Sequence, residues 1–162
     1  MDTPGESQTP LLGHAVVPVS DAEDASATAM ALEPYDPAHV TAVHVVEKGG
    51  GVPDKTPVEQ SEQIAEEAFV AVRRVFPDAD EFTAYGTDVV ETVVETAVEL
   101  DATAIVYRPH RGSRLVQFLS GDRSLGLVTE SPLPVVALPH EDADESGTEG
   151  SADTDEPAGS EK

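Results

Sequence analysis

The sequence predicts an α/β fold: a single doubly wound parallel sheet of five strands, with helices on both faces. Short apolar runs rich in valine alternate along the chain with longer stretches in which apolar residues recur every three or four positions. The apolar runs are continuous, which is typical of strands that are covered on both faces. Strands that alternate with helices in this way are expected to be parallel. The predicted strands cover residues 15–19, 40–46, 81–85, 103–107 and 135–138.

The first strand contains a proline, which does not suit a central position in a sheet. Pro18 cannot donate a hydrogen bond to a neighbouring strand, so its nitrogen must face a gap or a strand end. Ser20 or Asp21 then caps the first helix. The inward positions of that helix are small, so it is expected to lie close to the sheet, and Pro34 and Pro37 end it.

The remaining helices are predicted from their caps. A capping box with proline at the first helical position, residues 56–59, begins the second helix, which stops at Pro77. Asp88 caps the third helix. Ser120 or Asp122 precedes a short last helix.

The composition is acidic throughout. The chain of 162 residues has 32 aspartates and glutamates against nine lysines and arginines, a formal net charge of −23. Residues 1–11 and 141–162 are predicted to be disordered, with one domain over residues 12–140. Because the charge is spread over the domain as well as the tail, a halophile with high internal salt is the favoured explanation. An acidic interaction module in an ordinary cell is the alternative.

The composition disfavours several functional classes. Nucleic acid is not an expected partner, since phosphate binding needs a broad basic face. No apolar run reaches the ~18 residues of a membrane span and no secretory signal is recognisable, so a soluble cytoplasmic protein is expected. There is no cysteine, metal-ligand spacing, catalytic Ser/His/Asp order or Walker loop, so no enzyme is predicted. His44 is interpreted as a packed, hydrogen-bonded histidine.

Positive charge is concentrated after the fourth predicted strand. Four of the six arginines fall in this segment, namely Arg108, Arg111, Arg114 and Arg123. Ligands of open α/β sheets bind at the carboxyl ends of strands, so this basic loop is a candidate site. Alternatively, these arginines only pair with acids on a crowded anionic surface.

The order and spacing of these elements resemble the universal stress protein family over residues 14–139. The resemblance is carried by Val-Pro-Val at 17–19, Val-His-Val-Val at 43–46, Gly86 before the third helix, and the closing strand at 134–139. It implies a small Rossmann-like domain of the adenine nucleotide alpha hydrolase-like type, in which a proline in the first strand is common. Members of that family are usually homodimers, and a subset binds ATP.

The resemblance also implies a degenerate nucleotide site. Nucleotide-binding members carry glycine, two residues, glycine, nine residues, then Gly-Ser or Gly-Thr, so that backbone amides can approach phosphates. Here that register holds a single glycine, and sliding Gly112 into the second position does not restore the motif. The acid used for adenosine corresponds to Ser20, with Asp21 adjacent. The candidate positions are Ser20, Asp21, Val46, Arg108, Arg111, Gly112, Gly121 and Asp122.

Two functions follow as expectations. The first is a non-catalytic, dimeric stress-response domain without a cofactor, acting through an unidentified protein partner or a weakly bound anion. In it, Arg108 or Arg111 pairs with Asp122, and ATP binds more weakly than ~1 mM. The second is an ATP-binding, possibly slowly ATP-hydrolysing domain in which arginines replace the glycine amides. The predicted dimer interface is the closing strand, with Val135, Val136, Ala137 and Leu138.

Overall fold

The computed structural model describes residues 8–48, 58–109 and 122–139. It contains one five-stranded sheet, in which every strand is parallel to its neighbours. The predicted fold class is therefore confirmed. The strands are Ala15–Pro18 (β1), Val40–Glu47 (β2), Asp80–Gly86 (β3), Ala104–Tyr107 (β4) and Val135–Ala137 (β5).

The helices follow the predicted order. Asp21, rather than Ser20, is the N-cap of the first helix, and Asp88 is the N-cap of the third. Pro34 lies in a short 3₁₀ turn, Glu33–Tyr35, that follows the first helix. The α-helices are Ala22–Leu32 (α1), Val58–Val75 (α2), Val89–Glu99 (α3) and Asp122–Glu130 (α4).

The core consists of two layers, one on each face of the sheet. Neighbouring residues of β1 point to opposite layers: Val17 packs with residues of α1 and α2, whereas Val16 packs with residues of α3 and α4. Both valines are at most 2% exposed. Because successive side chains of a strand alternate between faces, a strand that buries both faces has to be continuously apolar.

The sheet order is β3-β2-β1-β4-β5, so the chain changes direction at β1. Along the chain, β2 and β3 are added on one side of β1, and the crossover after β3 then places β4 and β5 on the opposite side of β1. This arrangement makes a topological switch point between β1 and β4, and ligands of open α/β sheets bind in the crevice outside such a point.

Pro18 lies at this switch point. The pairing of β1 with β4 covers Ala15↔Ala104 and Val16↔Ile105 and stops there. The amide of Val19 donates to Val43 of β2 at 2.9 Å. Since backbone groups alternate in direction along a strand, the nitrogen of Pro18 faces β4, beyond the last paired residues. The central strand thus accommodates a proline because its ladder on that side has already ended.

Two residues before position 12, the predicted start of the domain, are hydrogen-bonded to it. The carbonyl of Pro10 accepts a hydrogen bond from the amide of Gly13, and the carbonyl of Leu11 accepts one from the Thr103 hydroxyl. The first half of the predicted capping box, Thr56 and Pro57, lies outside the described residues, as do most of the basic loop and the acidic tail.

Candidate functional site at the carboxyl edge of the sheet

The turn from β1 into α1 is held by two aspartates. Oδ1 of Asp21 accepts a hydrogen bond from the amide of Asp24 at 2.8 Å. Oδ2 of Asp24 in turn accepts from the amide of Ser20 at 3.0 Å and from its hydroxyl at 3.2 Å. A free helix N-terminus would attract anions, because its first amides lack partners and the helix dipole is positive there. Here Asp21 already accepts from one of these amides, that of Asp24, and Asp24 accepts from the amide just before the helix. Both carboxylates also repel an anion, so the start of α1 is a poor phosphate site.

Two opposite charges are buried at this edge. Asp24 is 2% exposed, and Arg108, directly after β4, is 9% exposed. Buried charges need compensating partners, and both residues take part in further interactions. The guanidinium of Arg108 is therefore enclosed by the fold rather than displayed on a basic surface.

His44 in β2 is a packed histidine, as its sequence context predicts. Its Nδ1 donates to the carbonyl of Val19 at 3.1 Å, and its side chain is 8% exposed. Burial lowers the pKa of His44 below the ordinary value of 6.5, although the Val19 carbonyl and the charge of Asp21 oppose this effect. The ring is thus neutral at neutral pH and supplies hydrogen bonding rather than charge.

A small cavity lies beside His44. Its volume is about 70 Å³, far below the ~300 Å³ at which pockets for small molecules begin. Several water molecules would fill it, since one water needs about 10–15 Å³ of such space. Its walls are Pro18, Val19, Ser20, Val43, His44, Val45, Val89 and Val93.

A larger cleft, of about 250 Å³, adjoins the first through Val89. It lies between the carboxyl ends of β2 and β3 and the helices α3 and α4. Three carboxylates line it, from Glu47, Asp88 and Glu130. The carboxylate of Asp88 already has a hydrogen-bond partner, because its Oδ1 accepts from the amide of Glu91 at 3.0 Å. The described wall of the edge is therefore acidic, which favours cationic or neutral groups over phosphates.

The fold brings four of the predicted site residues to this edge. Ser20 and Asp21 follow β1, Val46 lies near the end of β2, and Arg108 follows β4. Val46 is 2% exposed, so its side chain belongs to the core. Asp122 begins α4, but its side chain lies outside the described part, as do Arg111, Gly112 and Gly121. The predicted pairing of Arg108 or Arg111 with Asp122 is therefore outside the described residues.

Sequence reasoning missed two features of this site. Asp24, which is not among the predicted site residues, is the buried acceptor for Ser20. The spacing of an aspartate three residues after the N-cap was the available signal. Glu47 and Glu130 have no such signal, because only the fold brings them to one cleft.

The described ranges contain no group of three or more histidine, aspartate or glutamate side chains that could hold a metal ion. Over the same ranges, no helix has the length and apolar character needed to cross a membrane.

The predicted dimer strand, β5, is an edge of the sheet. Val135 and Val136 are half-buried and Ala137 is exposed. Leu138 is only 4% exposed and packs in the core with α1 and α2. The side chain of Leu138 therefore packs within its own subunit and is not exposed for contact with a second copy.

An all-parallel five-stranded sheet in this order, with its crevice between β1 and β4, defines a Rossmann-like doubly wound α/β protein. Several solved structures similar to this chain are universal stress proteins. A universal stress protein from Archaeoglobus fulgidus superimposes with a TM-score of 0.57 at 19% identity, covering 78% of this chain and 93% of that one.

Two further neighbours carry nucleotides. The universal stress protein from Archaeoglobus fulgidus in complex with dAMP has a TM-score of 0.57 at 20% identity, over 77% of this chain and 96% of that one. A universal stress protein in complex with cAMP has a TM-score of 0.55 at 18% identity, over 77% and 94%. No protein-family model and no curated protein sequence matches the chain. The chain thus shares the fold of the universal stress proteins.

Proposed function

We propose that this chain is a divergent universal stress protein domain that is non-catalytic and dimeric and acts through a protein partner or a weakly bound anion. The observation that supports this function is that the carboxyl edge is occupied by the chain's own acids. Asp21 accepts from the amide of Asp24 and Asp24 from that of Ser20 at the start of α1, and the adjoining cleft is lined by carboxylates. A nucleotide polyphosphate would therefore meet negative charge where the fold offers its crevice.

Coulomb's law indicates how strong this effect is. In water, a unit charge ~10 Å from a carboxylate is repelled by about 0.4 kcal/mol, and the repulsion grows in a less polar crevice. Glu47, Asp88 and Glu130 act together on a ligand that carries several charges. Molar salt screens this repulsion, so the discrimination against nucleotides is expected to be strongest in dilute buffer.

The test is a calorimetric titration with Mg-ATP on the wild type and on charge variants. Glu47→Gln with Glu130→Gln removes two cleft charges, whereas Glu66→Gln with Glu67→Gln removes two exposed charges of α2 outside the cleft. We expect wild-type affinity weaker than ~1 mM, a gain of several-fold in the cleft variant, and no gain in the control. Micromolar binding by the wild type would overturn the proposal.

Nucleotide binding is the second candidate, because solved neighbours hold dAMP and cAMP. In this alternative, which includes slow hydrolysis of ATP, the apolar walls of the small cavity beside His44 would contact part of the base, and arginines of the basic loop would replace glycine amides at the phosphates. The small molecules released when the purified protein is denatured decide between the two. Stoichiometric adenine nucleotide would favour this second candidate.

The dimer proposal rests on the free edge of β5. Pro134 accepts from Ile105 and Leu138 donates to Tyr107, so these residues direct their backbone toward β4. Since direction alternates, the amides and carbonyls of Val135 and Ala137 face outward, available to a second copy. Antiparallel pairing about a two-fold axis at Val136 would place Val135 opposite Ala137 of the copy.

Proline at position 137 tests this geometry. Ala137→Pro removes an outward-facing donor but no bond to β4, so the subunit should remain folded while the dimer dissociates. Ala137→Ser keeps the amide and serves as the control. Light scattering at micromolar protein in molar salt should give a dimer for the wild type and the serine variant and a monomer for the proline variant. A wild-type monomer, or a proline variant that stays dimeric, would contradict the proposed interface.

A further inference from the structure

Two histidines lie together at the amino edge of the sheet, opposite the candidate site. His14 directly precedes β1 and His39 directly precedes β2, and their ring centroids are 4.5 Å apart in an edge-to-face arrangement. Nε2 of His14 lies 2.8 Å from Oγ1 of Thr41. Nε2 of His39 lies 2.9 Å from Oδ2 of Asp80. When protonated, His39 therefore has a carboxylate in contact, whereas the ring of His14 contacts the Thr41 hydroxyl and the backbone of Leu100.

His14 also anchors the segment that precedes the sheet. Its amide donates to Oγ1 of Thr103 at 2.9 Å, and that hydroxyl can donate to the carbonyl of Leu11, also at 2.9 Å. The carbonyl of Leu12 accepts from the amide of Ala38 at 2.9 Å, and its side chain packs against the core. Residues 11–14 thus form a strap across the amino ends of β1, β2 and β4.

The charges around His14 determine how acid affects this strap. The charged groups that face it are His39 before β2, Asp80 of β3 and Asp101 before β4. Burial lowers the pKa of His14 from 6.5, and the charge of His39 adds to this effect. Asp80, Asp101 and a hydrogen bond to the backbone of Leu100 oppose it. Because the folded state binds a proton on His14 less readily than the unfolded chain does, neutral His14 contributes fully to folding stability above pH 6.5. This contribution is lost as the pH falls from 6.5 through the pKa of His14 in the folded state.

We propose that the His14–His39 pair is a proton-sensitive latch, which holds residues 11–14 on the amino edge of the sheet at neutral pH and releases them in acid. Two protonated rings at a centroid distance of 4.5 Å repel each other, and only His39 has a carboxylate in direct contact. The protonated ring of His14 therefore moves into solvent, and the hydrogen bonds that join residues 11–14 to Thr103 and Ala38 break. This function does not depend on the candidate site at the carboxyl edge, which lies at the other end of the strands.

Amide hydrogen exchange offers a local test. The reporters are the amides of Ala38 and Thr103, which donate to Leu12 and His14. The reference is the amide of Leu138, which donates to Tyr107 at 2.8 Å. It lies after β5, which β1 and β4 separate from β2 and its buried histidine, His44. Exchange is measured on the full chain in constant molar salt at about pH 7.5 and about pH 5, on either side of the ordinary histidine pKa, and corrected for intrinsic rates.

We expect protection of the amides of Ala38 and Thr103 to fall several-fold in acid while that of Leu138 stays constant. Each unit by which the fold lowers the pKa of His14 corresponds to about a tenfold loss of protection in acid. His14→Gln, which stays neutral, should abolish this local loss, and His39→Gln should reduce it. Equal losses at Leu138, or an unchanged acid response in His14→Gln, would overturn the latch.

If His14→Gln does not fold, a titration of the wild type tests the latch instead. NMR titration of the histidine ring protons should give His14 a pKa below 6.5, with the backbone signals of residues 11–14 changing in the same step. A pKa for His14 at or above 6.5, or a titration that leaves those backbone signals unmoved, would also overturn it.

Discussion

Gly86, at the end of β3, should be intolerant of alanine because of the space around it. A Cβ built at this position would lie 2.1 Å from Oγ1 of Thr92 and 3.2 Å from its Cβ. Thr92 is only 9% exposed, and Oγ1 donates to the carbonyl of Asp88 at 2.7 Å, which fixes the rotamer. The start of α3 would have to shift away from the sheet, or the threonine would have to give up its hydrogen bond.

Both costs can be given a magnitude. Overpacking a well-packed position costs about 1–3 kcal/mol, and loss of a buried hydrogen bond costs about 0.5–1.5 kcal/mol. Since either change relieves the clash, we expect Gly86→Ala to lower the free energy of unfolding by roughly 1–3 kcal/mol. Gly126→Ala in α4 is the control, since its Cβ would meet only the flexible end of Glu130 at 3.4 Å. That variant should be about 0.5–1 kcal/mol more stable, because glycine weakens a helix interior.

A double-mutant cycle identifies the clash as the cause. Thr92→Ala removes the atom at 2.1 Å, so Gly86→Ala should be tolerated far better in that background. Unfolding by denaturant in molar salt, at one fixed protein concentration because a dimer would couple stability to concentration, should give a coupling of about 1–3 kcal/mol. Additive effects within about 0.5 kcal/mol, or a Gly86→Ala variant as stable as Gly126→Ala, would refute the reasoning.

Three further predictions concern stability. Thr28 is 1% exposed and its Oγ1 has no hydrogen-bond partner within the described residues, so Thr28→Val should raise the free energy of unfolding by about 1 kcal/mol; a lower denaturation midpoint would contradict this. Asp21→Ala should cost about 1 kcal/mol by removing the cap of α1, whereas Asp21→Asn, which caps equally well, should cost little; equal losses would point to charge rather than hydrogen bonding. The melting temperature should rise between dilute buffer and ~1 M chloride, since a net charge of −23 repels itself until it is screened; a constant value would remove the argument for a halophilic protein.

Much of the fold could be predicted because its signals are local. Asp88 was recognised as a cap from the glutamate three residues later, and the structure has this cap with Glu91. Strand and helix boundaries shifted by one or two residues, as at β3, which begins at Asp80 and includes Gly86. Ends are decided by tertiary hydrogen bonds, such as that from the amide of Lys48 to the carbonyl of Gly86, and no local pattern reports them.

The site was harder to predict because its members come from distant parts of the chain. The order of the strands, once known, explains why Pro18 is tolerated, but the sequence alone showed only a proline in an apolar run. The cleft residues Glu47 and Glu130 are 83 positions apart, and each is an ordinary exposed acid in its own context. The pairing of His14 with His39 is of the same kind, since neither histidine has a neighbour in sequence that marks it.

The crevice at the switch point is a property of the topology, and its chemistry is a property of a few side chains. Pairing of β1 with β4 ends at Val16, two residues before Pro18, so an opening exists there whether or not a ligand fills it. In a nucleotide site, the helix amides beyond such an opening would have to remain available to phosphates. Here Asp21 and Asp24 already accept from the amides of Asp24 and Ser20 at the start of α1, and a bound phosphate would have to displace or approach these carboxylates. The same fold can therefore retain its crevice while losing the ligand, provided that the acids which satisfy the helix are supplied by the chain itself.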